Sequence, residues 1–235
     1  MMISFKHLSR PMSFNNTNVN VLVLENKKVF RDAFLFLSSN DENSAFVFSE
    51  NFEPLDFNRD ICFIKNSLLL DFKEKRLQTK INSDMSKILN EVYFDEFEKL
   101  QYDFSQIIFK FSENFDFEFF SSAEITPQSI VKFLSFEPKC DITESSLDNL
   151  LFYLELFKKY LNIKCFVTYN LFVYYEFDEL KELFKSLKLK NILLLDIENK
   201  VPDYSMDDII ISVVDNSLCS IVDLSLIHIS EPTRP

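Results

Sequence analysis

Three stretches of the chain carry residue types that do chemistry on phosphate or metal. Residues 19 to 34, VNVLVLENKKVFRDAF, place an apolar run before a polar turn and a helix that opens with Lys27, Lys28 and Arg31. In a nucleotide-binding α/β protein this order holds phosphate on a glycine-rich loop, whose bare backbone lets several N–H groups point into one concavity beside a Lys and a Ser or Thr. Here neither the hydroxyl nor any glycine is present, since the whole chain has no glycine. Two readings stay open: Lys27, Lys28 and Arg31 meet a phosphate at a helix N-terminus, or they form a solvated basic turn. The second stretch, ILLLDIE at 192 to 198, is an apolar strand ending in acids. That pattern holds magnesium in many NTPases, and any buried strand that ends in a polar loop shows it too. The third, SENFDFEFFSSAEI at 112 to 125, sets Glu113, Asp116, Glu118 and Glu124 among aromatic residues. Calcium takes several carboxylate oxygens in flexible geometry, so a loose acidic cluster suits it, although the spacing and glycine of an EF-hand are missing. The alternative is a solvated acidic stretch.

Basic residues fall into groups: Lys73, Lys75, Arg76 and Lys80; Lys132 and Lys139; Lys158, Lys159 and Lys164; Lys181, Lys185, Lys188 and Lys190. Lysine-rich helices ordinarily face water. In a closed oligomer, however, symmetry repeats one inward stripe, and a modest patch becomes a continuous positive ring. The formal net charge of −12 argues against a polyanion partner on total charge alone. Its distribution decides. His7 has no serine or cysteine partner in view, which excludes a nucleophilic triad and leaves it a surface or capping role. Cys62, Cys140, Cys165 and Cys219 are scattered without a CxxC pair, and are expected as small buried hydrophobes in a reducing compartment.

The elements that must position these residues follow from periodicity. Strands are expected at 3 to 7, 19 to 25, 45 to 49 and 61 to 65, with a helix from about Lys27 to Ser38 capped by Asn26. From Ser67 to about Asn114 the period is helical, with a slip between Val92 and Phe97, so two helices or one kinked helix form a projecting arm. Thr126 and Pro127 open a short helix, and another runs from about Glu144 to Leu161. Near-continuous apolar strands at 164 to 169, 191 to 198 and 208 to 214, with a helix from Asp178 to Leu187, imply a parallel sheet buried on both faces. A last short strand is expected near Leu218 to Val222. The predicted fold is α/β: a split head, residues 1 to 66 and 162 to 223, interrupted by a helical leg over 67 to 161.

At 235 residues, 47% hydrophobic and 26% charged, the chain is expected to fold as one well-cored globular domain with an insertion. No stretch approaches the roughly 20 apolar residues of a membrane span, and the N-terminus lacks a signal-peptide core, so a cytoplasmic location is the default. The 28 Phe and absent glycine point to a GC-poor genome and leave positive-φ positions to Asn, Asp or Ser. The tail from Ser225 to Pro235, SLIHISEPTRP, resembles a translated sequencing adapter.

Over most of residues 2 to 223 the sequence resembles the small accessory protein of type II-A CRISPR loci that takes part in spacer acquisition. The segments that carry the likeness are ISFKHLSRPMSF, VNVLVLENKKVF, KINSDMSKILNEVYF, EITPQSIVKFLSFEP, SLDNLLFYLELFKKYL, KCFVTYN, NILLLDIEN and DIIISVVDNSLC. The resemblance implies a degenerate P-loop-kinase-like head with an α-helical leg, and a calcium-stabilised homotetrameric ring that threads double-stranded DNA ends without nuclease or NTPase activity. It further implies partnership with the CRISPR adaptation integrase proteins and the RNA-guided nuclease in antiviral defence. By the same likeness Asp116, Glu118 and Glu124, with Glu113, are the calcium ligands, and Lys132 and Lys139 lie near the DNA; Lys158, Lys159, Lys27 and Lys28 are further candidates. An NTP-dependent kinase or ATPase using Lys28 and Asp196, and a helical protein-interaction scaffold that binds no DNA, are the alternatives.

Overall fold

The computed structural model describes residues 1–15, 17–39, 45–115, 125–138, 146–202 and 209–221. In chain order the elements are β1 (Met2–Phe5), β2 (Met12–Ser13), β3 (Val19–Leu24), α1 (Lys27–Ser39), β4 (Phe46–Glu50), β5 (Glu53–Pro54), α2 (Phe57–Asp60), β6 (Ile61–Phe63), α3 (Lys75–Glu91), α4 (Phe94–Ser112) and α5 (Pro127–Leu134). Then follow α6 (Ser146–Leu161), β7 (Cys165–Tyr169), α7 (Leu171–Tyr174), α8 (Phe177–Leu189), β8 (Leu194–Glu198), β9 (Ile209–Val214) and β10 (Ser220–Ile221). The described chain divides into two compact units, at Leu70/Asp71 and between 138 and 146.

The larger unit is an α/β unit built on a six-stranded sheet in the order β10-β9-β3-β8-β7-β6. All its pairings are parallel except β10 with β9. Strands β3, β7 and β8 are buried at every position, as a parallel sheet covered on both faces requires. A second sheet, β2-β1-β4-β5, is wholly antiparallel. Its inward residues Ile3, Phe5, Phe46 and Phe48 join Leu22, Leu24, Leu37, Leu195 and Ile197 in one core. The sequence pattern did not separate these short N-terminal strands from the main sheet. Two one-turn helices, α2 and α7, were also not anticipated.

Helix α6 lies in the α/β unit. Its Leu150, Leu154 and Phe157 are fully buried, and it packs against α8. The sequence reading placed residues 144 to 161 with the leg; their helical period was legible, but which unit covers an apolar stripe depends on contacts far away in sequence.

The smaller unit holds α3, α4 and α5. Two helices form where the spacing slips, with Val92 and Tyr93 between them. Leu77 and Ile81 of α3, Phe97 of α4 and Val131 of α5 are buried. Thr126 caps α5 as predicted: its hydroxyl accepts from the Ser129 N–H, while Ser129 returns a bond from the Thr126 N–H, and Pro127 fills the first turn. Lys73 Nζ meets Glu137 at 2.9 Å.

Positive-φ positions go mostly to Asn, at Asn51, Asn162, Asn170 and Asn191, and to Ser135, as a glycine-free chain requires. Phe52 and Leu218 also adopt it, at the steric cost a Cβ brings there.

Candidate functional site

In a parallel sheet the carboxyl ends of the strands are where ligands gather, above all between neighbours whose connections leave in opposite directions. β3 leads on to β6 on one side and β8 to β9 on the other, so that position falls between β3 and β8. Here it is occupied by the chain's own groups. At the start of α1, Asn26 Oδ1 accepts from the Lys28 and Val29 N–H groups at 3.1 and 3.3 Å. The amides that a phosphate would take are therefore capped by a side chain. Lys27 and Lys28 are exposed beside that cap, which favours the solvated turn.

Asp196 and Glu198 sit two apart on β8 and so on one face of the strand, and both are buried, at 0% and 2% exposure. Asp196 Oδ1 accepts from the Thr168 hydroxyl of β7 at 2.8 Å. Glu198 Oε1 accepts from the Phe172 N–H at the start of α7 at 2.9 Å. Asp196 Oδ2 is buried without a hydrogen bond of good geometry, although the Leu171 and Ile197 N–H groups lie close enough to favour the charged carboxylate. A proton on Glu198 would add a side-chain donor to Asp196. Burial raises both pKa values, and the neighbouring Asp196 charge raises Glu198 further, to about 9. Both shifts favour a proton on the pair, with Glu198 the more readily protonated. An acid pair sealed into the sheet in this way is a strand end locked to β7 and α7. It is not presented to solvent as a magnesium site.

The predicted calcium ligands are only partly placed. Glu113 caps the C-terminus of α4, its N–H bonded to the Phe109 carbonyl, and it is exposed. Asp116, Glu118 and Glu124 lie outside the described residues. Among the described residues no group of three His, Cys, Asp or Glu side chains is arranged to hold a metal ion.

The lysines separate into tied and free. Lys158 is tied: Nζ donates to the Lys190 carbonyl at 2.8 Å and to the Asn191 carbonyl at 2.5 Å, capping the end of α8, and burial lowers its pKa. Lys190 Nζ meets Glu155 at 2.9 Å, and Lys164 pairs with Glu50. Lys159 lies over the Tyr160 ring at 5.4 Å. Lys132 stands exposed in the last turn of α5, and Lys139 lies outside the described residues. The capping role of Lys158 was invisible in the sequence because its acceptors are 32 and 33 residues away.

Cys62 and Cys165 are buried, whereas Cys219 is exposed. The expectation of four buried cysteines therefore fails at Cys219, which follows the turn at 216 to 218 and not a core strand. Cys140 lies outside the described residues. His7 packs edge-on to Phe5 at 5.5 Å, and partial burial and Lys6 lower its pKa.

Helix α4 is the opposite of β8. Leu100, Phe104, Ile107, Ile108 and Phe111 share one face at helical spacing and are 37 to 61% exposed. Phe97 is its one buried residue.

Among the described residues no helix is long and apolar enough to cross a membrane. No protein-family model matches the sequence, and no curated protein sequence matches it.

Proposed function

We propose that the protein is a non-enzymatic, sequence-independent binder of double-stranded DNA ends, acting as a calcium-stabilised homotetrameric ring in CRISPR spacer acquisition. The observation that carries this reading is the uncovered face of α4. A 19-residue helix with a continuous apolar stripe open to water has a strong drive to be covered, and a second copy of the same helix offers a matching stripe. Closed assembly then repeats the exposed cations of each unit, Lys27, Lys28 and Lys159 in one and Lys132 in the other, in every copy. The capped turn at Asn26 and the sealed Asp196 and Glu198 pair fit a nucleotide-type fold used as a scaffold. They weigh against the kinase or ATPase alternative.

Binding through phosphates falls steeply with salt, with a log–log slope of about −0.9 per phosphate neutralised. Gel shifts on linear and covalently closed DNA, with calcium and with chelator, test the reading. It expects linear DNA to be retained with calcium and released by chelator or salt. Equal retention of closed circles contradicts end binding, and failure to bind linear DNA at low salt contradicts the function.

A further inference from the structure

Two cations and four aromatic rings outside the proposed DNA contacts meet at the carboxyl edge of the α/β unit. Lys65 follows β6, Tyr169 ends β7, Asn170 caps α7, Arg31 comes from the second turn of α1 between Phe30 and Phe34, and Tyr174 ends α7; these residues line a cavity of about 290 Å³. The floor is rigid. The Tyr169 ring lies 5.1 Å from Phe30 and 5.2 Å from Phe34, perpendicular to the latter, and Phe34 rests in turn on Phe63. Tyr169 is 4% exposed and Tyr174 43% exposed, so one aromatic side is fixed and the other faces the opening. Burial and the nearby Asp196 charge keep the Tyr169 hydroxyl protonated, and it reaches the Phe30 carbonyl at 3.5 Å.

The cations are available. Among the described residues the one ion-pair partner of Arg31 is its neighbour Asp32, at 3.5 Å, and Lys65 is exposed with no ion-pair partner. Two positive groups from separate elements match a doubly charged oxyanion, and a guanidinium can grip it through two N–H groups at once. Aromatic walls take the face or edge of a planar ring. The cavity is close to the roughly 300 Å³ lower end of small-molecule sites, the scale of a mononucleotide. It lies at the carboxyl ends of parallel strands but apart from the Asn26 turn, so it needs no glycine-rich loop.

We infer that this cavity binds a nucleoside 5′-monophosphate, its base against Phe30, Tyr169 and Tyr174 and its phosphate on Arg31 and Lys65. The test is a calorimetric titration of the full chain at low salt with AMP, and separately with adenosine and inorganic phosphate. AMP saturates one site per chain, each fragment alone binds at least ~10-fold more weakly, and the Arg31→Ala, Lys65→Ala double variant weakens AMP by about 10- to 100-fold. Both side chains are exposed, and a thermal melt matching the parent shows that the variant is folded. The Lys27→Ala, Lys28→Ala double variant keeps AMP affinity unchanged. Absence of AMP saturation, inorganic phosphate binding as tightly as AMP, or loss of AMP binding in the Lys27, Lys28 variant alone overturns the assignment. DNA retention is scored on the same proteins as a separate readout, so either proposal can fail without the other.

Discussion

Strand β8 and helix α4 are both rich in large apolar residues, yet one is sealed even around its acids and the other leaves its phenylalanines in water. β8 lies between β3 and β7 with every side chain buried, and that burial favours a proton on the Asp196 and Glu198 pair. In α4 Phe97 alone is buried. The contrast separates a unit that completes its own core from a helix whose apolar face is exposed among the described residues. A substitution in the first region should act on folding, and one in the second on assembly.

The sharpest way to break this contrast is a pair of truncations. Phe166→Ala, in the sheet at 1% exposure, should cost about 3–5 kcal/mol in denaturant unfolding. Phe104→Ala, 44% exposed on α4, should change single-chain stability by less than about 0.5 kcal/mol. Equal costs would mean that the α4 face is already covered within one chain.

The acid pair gives the next largest effect. Both folded-state pKa values lie above those of ordinary carboxyls, Glu198 at about 9 against 4.5, so the folded chain keeps a proton that the unfolded chain has released. The share of stability from Glu198 is full below about pH 4.5 and declines as pH rises toward about 9, by up to about 1.4 kcal/mol per unit. Glu198→Gln carries a permanent donor, and unfolding measured across this range should lose that share of the slope. An unchanged slope would show that the pair does not share a proton.

The parallel sheet, the two helices either side of Val92 and the Thr126 cap were all legible, because each is written in local spacing or a local cap. So was the Asn26 cap of α1. Other features rest on long-range contacts that single-chain periodicity does not encode: the separate antiparallel sheet, α6 in the α/β unit, Lys158 on the end of α8 and the aromatic cavity beside Arg31. ILLLDIE looked like a metal-binding strand end or a structural one, and only the depth of Asp196 in the sheet separates the two.

Smaller effects refine the division between tied and free lysines. Lys158→Ala removes two bonds to the carbonyls that end α8 and should cost about 1 kcal/mol in thermal or denaturant unfolding. Lys159→Ala should lie within about 0.5 kcal/mol. In gel shifts the proposed ring expects the ordering to reverse, with the larger loss of DNA affinity at Lys159.

The central claim, that the bare α4 face is a surface shared between copies, is tested most directly by sedimentation velocity of the full chain with calcium, beside Phe104→Asp. The account predicts a tetramer for the parent and a smaller species for the variant, each with an intact thermal melt of the α/β unit. A parent that sediments as a monomer with calcium present, or a variant that keeps the parent's size, would contradict it.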